Sequence, residues 1–300
     1  MPRTDDNELE RNLAAARSTL VSVAVNLFLS ILQLIVGIFA KSQALIADSI
    51  HSLSDLISDA IVLIANKHSS KAPDAEHPYG HHRFETAATL AVGAILIIVG
   101  LGMLWSSFTK LQNPGLIQTV HLLALPIAVL ALIAKELLFR YLLRVAKRVR
   151  STMLVANAWH ARSDAASSLV VAVAIVANLM GLPIADPIAV LVVGLLILRM
   201  GWRFAFNAFN DLMDQAVDDA TEAKITKIIL ETPGVMGLHD LKTRKLGDMI
   251  WVEVDLEMDG RLTIYEGHEI AEDARRRVMA VLPALDVMTH FDPVDVVNPE

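Results

Sequence analysis

The chain has 300 residues, of which 54% are hydrophobic and 20% are charged, and its formal net charge is −7. A soluble domain averages about 45–50% apolar residues, so this composition indicates a membrane protein that contacts lipid. The lack of a basic stripe interleaved with aromatic residues argues against a nucleic-acid partner. The chain contains no cysteine, which excludes disulfides and leaves only nitrogen and oxygen atoms as strong metal ligands.

Six apolar segments are each long enough to cross a bilayer, which takes about 20 residues. They run over residues 20–40, 44–65, 86–105, 117–139, 154–180 and 188–206. The first follows a polar segment, residues 1–19, and is too long for a signal-peptide core, so we expect it to stay as a membrane helix. The sequence therefore predicts an all-α bundle of six transmembrane helices within residues 20–211.

Basic residues are concentrated in alternate loops. One side of the predicted membrane domain carries Arg3, Arg11, Arg17, Lys67, Lys71, Arg83, Arg140, Arg144, Lys147, Arg148 and Arg150. The opposite loops contain only Lys41 and Lys110. Because cytoplasmic loops carry an excess of lysine and arginine, both termini are predicted to be cytoplasmic.

Two of the predicted spans contain the pattern H-x-x-x-D, which pairs His51 with Asp55 and His160 with Asp164. Residues four apart are neighbours on one face of a helix, and ionisable residues inside a membrane span usually mark a functional site. Two such helices facing each other supply four ligands, the number in a tetrahedral zinc site. The alternative, helix caps or polar helix contacts, explains one such residue better than two matching pairs.

Two further aspartates, Asp48 and Asp59, fall near the same face of the second span. We expect these carboxylates to line the route of an ion or to bond to a neighbouring helix. They are not predicted to be ligands.

The loop after the second span reads NKHSSKAPDAEHPYGHHRFE and contains Asp74, His77 and His81. Such a loop can bind metal, but solvated loops often have this composition, and the spacing does not separate the two. Arg83 lies where this loop meets the third span, and Asp214 lies just after the sixth span. Each could be a solvated charge at a helix end, and spacing does not show whether they pair.

Residues 212–300 are more polar and predict a small α+β domain with the order helix, strand, strand, helix, strand. The predicted elements cover residues 211–232, 239–248, 249–260, 265–282 and 286–294. No G-x-x-x-x-G-K-[ST] motif for nucleotide binding is present, so any transport must be driven by gradients. Possible nitrogen and oxygen ligands in this domain are His239, Asp255, His268, His290 and Asp292. Spacing alone favours separate surface residues, although His290 and Asp292 share one face of a strand.

Over nearly its whole length the chain resembles the cation diffusion facilitators, which are proton-coupled exporters of divalent metals, and within them the bacterial zinc and iron exporters. The residues that carry the resemblance are HSLSD, HPYGHHRFE, HARSD, GVMGLHDLKTRKLGD and HFDP. The resemblance implies a transport site at His51, Asp55, His160 and Asp164, a set similar to the zinc type. It also implies a loop site at Asp74, His77 and His81.

The same resemblance implies that the C-terminal domain is cytoplasmic, metallochaperone-like with a ferredoxin-like fold, and forms a homodimer. A regulatory two-metal site of the family falls on His239, His268, His290 and Asp292. This chain departs from well-described members at Asp255, where they have histidine, which puts a complete two-metal site in doubt. Arg83 and Asp214 match an interlock between membrane helices and the C-terminal domain.

The function implied is exchange of cytoplasmic Zn²⁺ for protons across a bacterial inner membrane by alternating access. Fe²⁺, Mn²⁺, Co²⁺ and Cd²⁺ remain alternative substrates, because geometry and availability compete with affinity in metal selection. A membrane metalloenzyme is a rival of another class, but catalytic zinc keeps three protein ligands and an open position, and H-E-x-x-H is absent. A passive metal channel is a further rival that coupled proton movement would exclude.

Overall fold

A computed structural model describes residues 3–69, 71–149 and 152–294. Its first part consists of six long helices: α1 (Arg3–Phe39), α2 (Gln43–Ser69), α3 (Arg83–Gln112), α4 (Ala124–Val149), α5 (Thr152–Leu179) and α6 (Ala185–Leu212). Each predicted span falls within one helix to within one residue at its ends, except at the start of the fourth. A 3₁₀ turn over Pro114–Leu116 precedes an extended stretch, so residues 117–123 lie outside α4.

Within the described residues, four helical segments are long and apolar enough to cross a membrane, judged by length and composition: Arg17–Phe39, Arg83–Gln112, Leu154–Leu179 and Ala185–Leu212. Helices α2 and α4 have 27 and 26 residues, but they carry ionisable side chains such as Asp48, Asp55 and Lys135. These side chains lower the hydropathy of the two helices. The prediction of six spans is thus supported by four helices, and for α2 and α4 it stays a prediction.

The chain forms two compact units. The first contains the chain through Ala60 together with Val92–Arg203, and the second contains Ile61–Ala91 and the chain from Phe204 onward. In the first unit, large side chains of α4 pack against small ones of α5: Leu138, Phe139, Leu142, Ala158 and Ala161 form one buried cluster. Small residues let membrane helices approach closely, and here they bring α4 beside α5.

Helices α3 and α6 meet through glycines. A Cβ added to Gly194 would lie 3.1 Å from Met103, and one added to Gly201 would lie 2.9 Å from the carbonyl oxygen of Gly93. As residue numbers rise along α6, the numbers of the facing residues in α3 fall, so the two helices are antiparallel. Their backbones approach too closely for larger side chains at the contact.

The second unit contains the α+β domain, with α7 (Asp219–Leu230), β1 (Gly237–Leu246), β2 (Met249–Asp259), α8 (Ile264–Val281) and β3 (Ala284–Val294). The predicted order of elements is confirmed. The strands form one sheet in the order β1-β2-β3, in which β2 pairs antiparallel with β1 and parallel with β3. Alternate residues of β2 are buried, and Val252, Val254 and Leu256 form the core with Ile225 and Ile229 of α7.

The predicted helix over residues 211–232 is corrected to the shorter α7. Residues 211 and 212 end α6, and the carboxylate of Asp218 accepts a hydrogen bond from the backbone N–H of Thr221 at 3.0 Å. An aspartate in this position satisfies an otherwise unpaired amide of the first turn. The cap therefore fixes the start of α7.

The α3–α6 contact is expected to lose about 1–3 kcal/mol when Gly201 is replaced by alanine, the usual cost of overpacking. The added Cβ would lie 2.8 Å from the backbone nitrogen of Ile97, whereas a Cβ at Gly102 meets nothing within 4 Å. Gly102→Ala is therefore the matched control, since alanine by itself favours a helix. Thermal unfolding of the detergent-purified protein should show a lower midpoint for Gly201→Ala only, and equal midpoints would contradict this packing.

Candidate metal centres

The first candidate centre lies between α2 and α5. His51, Asp55 and Asp164 each offer one ligand atom, and these atoms lie within 4.8 Å of one another. Nδ1 of His51 is 3.7 Å from Oδ2 of Asp55, one helical turn further on. His51 is 7% exposed and Asp164 is 9% exposed, so the cluster is largely removed from solvent.

Two buried atoms of this cluster make no hydrogen bond within the described part of the chain. Neither Nδ1 of His51 nor Oδ2 of Asp55 has a hydrogen-bond partner there. Leaving a buried polar atom unsatisfied costs about 1–3 kcal/mol. An imidazole nitrogen and carboxylate oxygens together suit a divalent transition metal, and such an ion would satisfy both atoms.

His160, the fourth predicted ligand, lies one turn before Asp164 on α5 but is exposed. It is not part of the group of atoms that lie within 4.8 Å of one another. Its imidazole is within electrostatic range of Asp55 and Asp59. The structure thus brings together three of the four predicted ligands, and the role of His160 stays a prediction.

Asp48 confirms the expectation that it bonds to neighbouring helices. Its Oδ2 accepts hydrogen bonds from Gln33 Nε2 at 2.5 Å and from Ser168 Oγ at 2.7 Å. Lys135 of α4 pairs with its carboxylate at 3.3 Å. Sequence reasoning missed Lys135, although a lysine in the apolar run LALIAKELLF is the signal that could have found it. Asp59 is exposed and belongs to no such network among the described contacts.

The loop candidates Asp74, His77 and His81 also come together, with ligand atoms within 4.8 Å of one another. The carboxylate of Asp74 lies 3.4 Å from Nδ1 of His77 and 3.3 Å from Nε2 of His81. The backbone N–H of His77, which donates to Asp74, lowers the pKa of that carboxyl group. Asp74 is thereby kept ionised, as a metal ligand must be.

In the C-terminal domain, strand pairing brings ligands together around His239. Its Nε2 lies 2.9 Å from Asp292 of β3, and its Nδ1 lies 3.0 Å from Glu257 of β2. His290 lies 3.5 Å from the same Asp292, and Asp255 pairs in register with both histidines. The hydrogen bond to Glu257 raises the pKa of His239, and the charges of Asp292 and Asp255 add to this.

At three positions the clustering of side chains in this domain differs from the predicted set of ligands, which itself stays a prediction. Asp240 joins His239 and Asp255 in a group of close ligand atoms, and its φ of +47° lies at a β-bulge after His239. Glu257 shares a strand face with Asp255, a signal that was present in the sequence but required the strand register. His268 is exposed on α8 and is outside these groups of described residues.

The pairing of Arg83 with Asp214, which spacing could not show, is present. Arg83 also donates to the carbonyl oxygen of Leu212 at 3.4 Å. Arg244 of β1, which was not predicted, lies 4.0 Å from the other oxygen of Asp214 and 3.8 Å from Glu253. The contact is therefore a chain of alternating charges that ends on the sheet.

Comparisons with known proteins agree over both parts of the chain. The family profile described as "Cation efflux transmembrane domain" matches residues 19–213, and that described as "Cation efflux protein, cytoplasmic domain" matches residues 217–294. Manganese efflux system protein MneS of Bacillus subtilis is 35% identical over 96% of this chain and 98% of that protein. Cation-efflux pump FieF of Pectobacterium carotovorum is 30% identical over 95% of this chain and 93% of that protein.

A plant relative, Metal tolerance protein C1 of Arabidopsis thaliana, is 31% identical over 91% of this chain. The chain spans 61% of that protein's length. Among solved structures, the MamM CTD in a cadmium form is 24% identical, with a TM-score of 0.25, over 26% of this chain and 98% of that one.

Fold and site together define a helical membrane protein with a buried cluster of histidine and aspartate side chains, the types that serve as metal ligands, and an α+β C-terminal domain. The matches to both family profiles and to MneS identify the class of such proteins. The chain belongs to the cation diffusion facilitator family of cation efflux proteins.

Metal binding by the C-terminal domain should depend on Glu257. We expect Glu257→Gln to weaken it about 10–100-fold, the usual effect of losing a carboxylate that orients a ligating histidine. Titration calorimetry on the full chain should use an Asp55→Ala/Asp164→Ala background, which removes the membrane cluster. Glu222→Gln, an exposed acid of α7, is the matched control, and equal affinities of the two variants would contradict the assignment.

Proposed function

We propose that the chain exports a divalent transition-metal cation, foremost Zn²⁺, from the cytoplasm in exchange for protons. The observation that carries the proposal is the buried cluster of His51, Asp55 and Asp164, two of whose ligand atoms make no hydrogen bond among the described residues. A buried, charged and unsatisfied group of this kind in a membrane domain is costly. Binding of a metal ion in passage explains why it is present.

Coupling to protons follows from the chemistry of the ligands. A metal binds neutral imidazole and ionised carboxylate, so protons and metal compete for His51, Asp55 and Asp164. Metal that enters from one side displaces protons, and protons that enter from the other side displace metal. Alternating access of the helix bundle then converts this competition into exchange.

The proposed substrate is Zn²⁺ because two H-x-x-x-D pairs offer two imidazoles and two carboxylates, a set that suits a tetrahedral ion. His160 completes this set when its side chain turns toward Asp164. Mn²⁺, Fe²⁺, Co²⁺ and Cd²⁺ are the alternative substrates. MneS is named for manganese, and nitrogen and oxygen ligands alone do not separate these ions by affinity.

The proposed active form is a homodimer in a bacterial inner membrane with both termini in the cytoplasm. The basic loops support this orientation. In the C-terminal domain, metal at the cluster around His239 would bind in a regulatory role. The chain of charges from Arg83 to Asp214 and Arg244 would pass its effect to the start of α3.

Transport can be measured in proteoliposomes with an imposed pH gradient, comparing Zn²⁺, Mn²⁺, Fe²⁺, Co²⁺ and Cd²⁺. Asp164→Ala is expected to reduce gradient-driven Zn²⁺ flux at least about tenfold, since even losing an outer-shell partner of a metal ligand costs 10–100-fold. Ser163→Ala, an exposed neighbour on α5, is the matched control and should retain the flux of the unmodified protein.

The possible outcomes separate the parts of the proposal. Flux of another metal alone keeps the exchanger and overturns the zinc assignment. Zinc flux that does not depend on the pH gradient indicates a passive channel. No flux of any metal from well-folded protein overturns transport.

A further inference from the structure

The ammonium group of Lys135 lies in a cage of oxygen atoms inside the first unit. Lys135 is 1% exposed and Asp48 is 0% exposed. Around Nζ lie Ser168 Oγ at 2.7 Å, Ser52 Oγ at 3.0 Å, and the two carboxylate oxygens of Asp48 at 3.3 and 3.4 Å. None of these residues belongs to the metal clusters described above.

The cage is held in place by further hydrogen bonds to Asp48. Gln33 of α1 donates to Oδ2 at 2.5 Å, and Ser167 of α5 donates to Oδ1 at 3.4 Å. Oε1 of Gln33 is buried and has no partner among the described residues. Helices α1, α2, α4 and α5 thus each contribute a group, so the cage is a built site with a fixed geometry.

The cage is stacked against the proposed transport cluster. On α2, Ser52 lies three residues before Asp55, and on α5, Ser168 lies four residues after Asp164. Residues three or four apart lie one above the other on a helix. The two polar sites therefore follow each other along the same pair of helices, about one turn apart.

The chemistry of the cage is that of a hard cation site. Carboxylate and hydroxyl oxygens, without nitrogen or sulfur ligands, are what Ca²⁺, Mg²⁺ and Na⁺ prefer. We propose that Lys135 is a built-in cation, which fills this second site and keeps it closed to free hard cations. If the cage stays filled, each protomer carries one metal ion at a time, and this consequence rests on the proposed function. The occupancy of the cage by Lys135 does not rest on it.

A purely structural ion pair is the competing explanation. Buried ion pairs are often no more stabilising than apolar side chains of similar volume, and loss of one partner leaves an uncompensated charge. A structural pair predicts the same loss of stability in every salt when Lys135 is removed. If the cage is a cation site, a free hard cation should restore the stability that the ammonium group of Lys135 supplied.

The test uses full-length Lys135→Ala purified in detergent, in choline chloride with Ca²⁺, Mg²⁺ or Na⁺ added separately. We expect a lower thermal midpoint than the unmodified protein in choline alone, and recovery as the concentration of a hard cation rises. Equilibrium binding of radioactive Ca²⁺ should show one additional ion per protomer. Asp48→Asn/Lys135→Ala, which lacks the carboxylate, is the matched control and should show neither effect.

Lys135→Gln is the second variant, because its amide preserves more of the packing and offers an oxygen where the ammonium was. The same cation-dependent recovery is expected. The proposal is overturned if neither variant binds more Ca²⁺ than the unmodified protein. It is also overturned if both variants fail to fold in every cation tested, since a replacement cation should then restore the cage.

Discussion

The cost of burying an ionisable group away from water organises the membrane part of this chain. Asp48 offsets this cost by pairing with Lys135 and by accepting hydrogen bonds from Gln33 and Ser168. Further along α2, Nδ1 of His51 and Oδ2 of Asp55 have no hydrogen-bond partner among the described residues. The polar groups around Asp48 are therefore satisfied by the protein itself, which the described contacts do not show for His51 and Asp55. In the proposed function, His51 and Asp55 bind the cation, whether metal or proton.

The C-terminal domain reaches a similar clustering by another route. Its ligands converge because β2 is central, with β1 on one side and β3 on the other. Asp255 on β2 therefore meets His239 and His290 from opposite neighbours. The cluster is solvent-accessible, so its charges are screened and each residue can be lost at small structural cost.

Helical periodicity accounts for the part of the membrane site that the sequence could predict. His51 and Asp55, and His160 and Asp164, are local pairs, and the hydrophobic runs around them define the helices. The partners that sequence reasoning missed are Lys135, Arg244 and Glu257, each of which meets its partner through tertiary packing or strand register. The exposure of His160 could not be read from the spacing, since spacing fixes its position on α5 but not its distance from α2. The α+β order was predictable because strand alternation and helical periodicity are local signals.

Selection among divalent metals depends on exclusion as well as attraction. The membrane cluster uses nitrogen and oxygen donors, which bind the divalent ions from manganese to zinc with graded affinity. The cage around Asp48 differs in having oxygen donors alone, the set that calcium and magnesium use. A lysine on a neighbouring helix fills that cage with a charge that cannot leave. Helix α2 therefore carries carboxylates at two levels, those of Asp48 and Asp55, but presents a nitrogen-containing site only at the level of Asp55. The tethered ammonium group of Lys135 is what makes the two levels different.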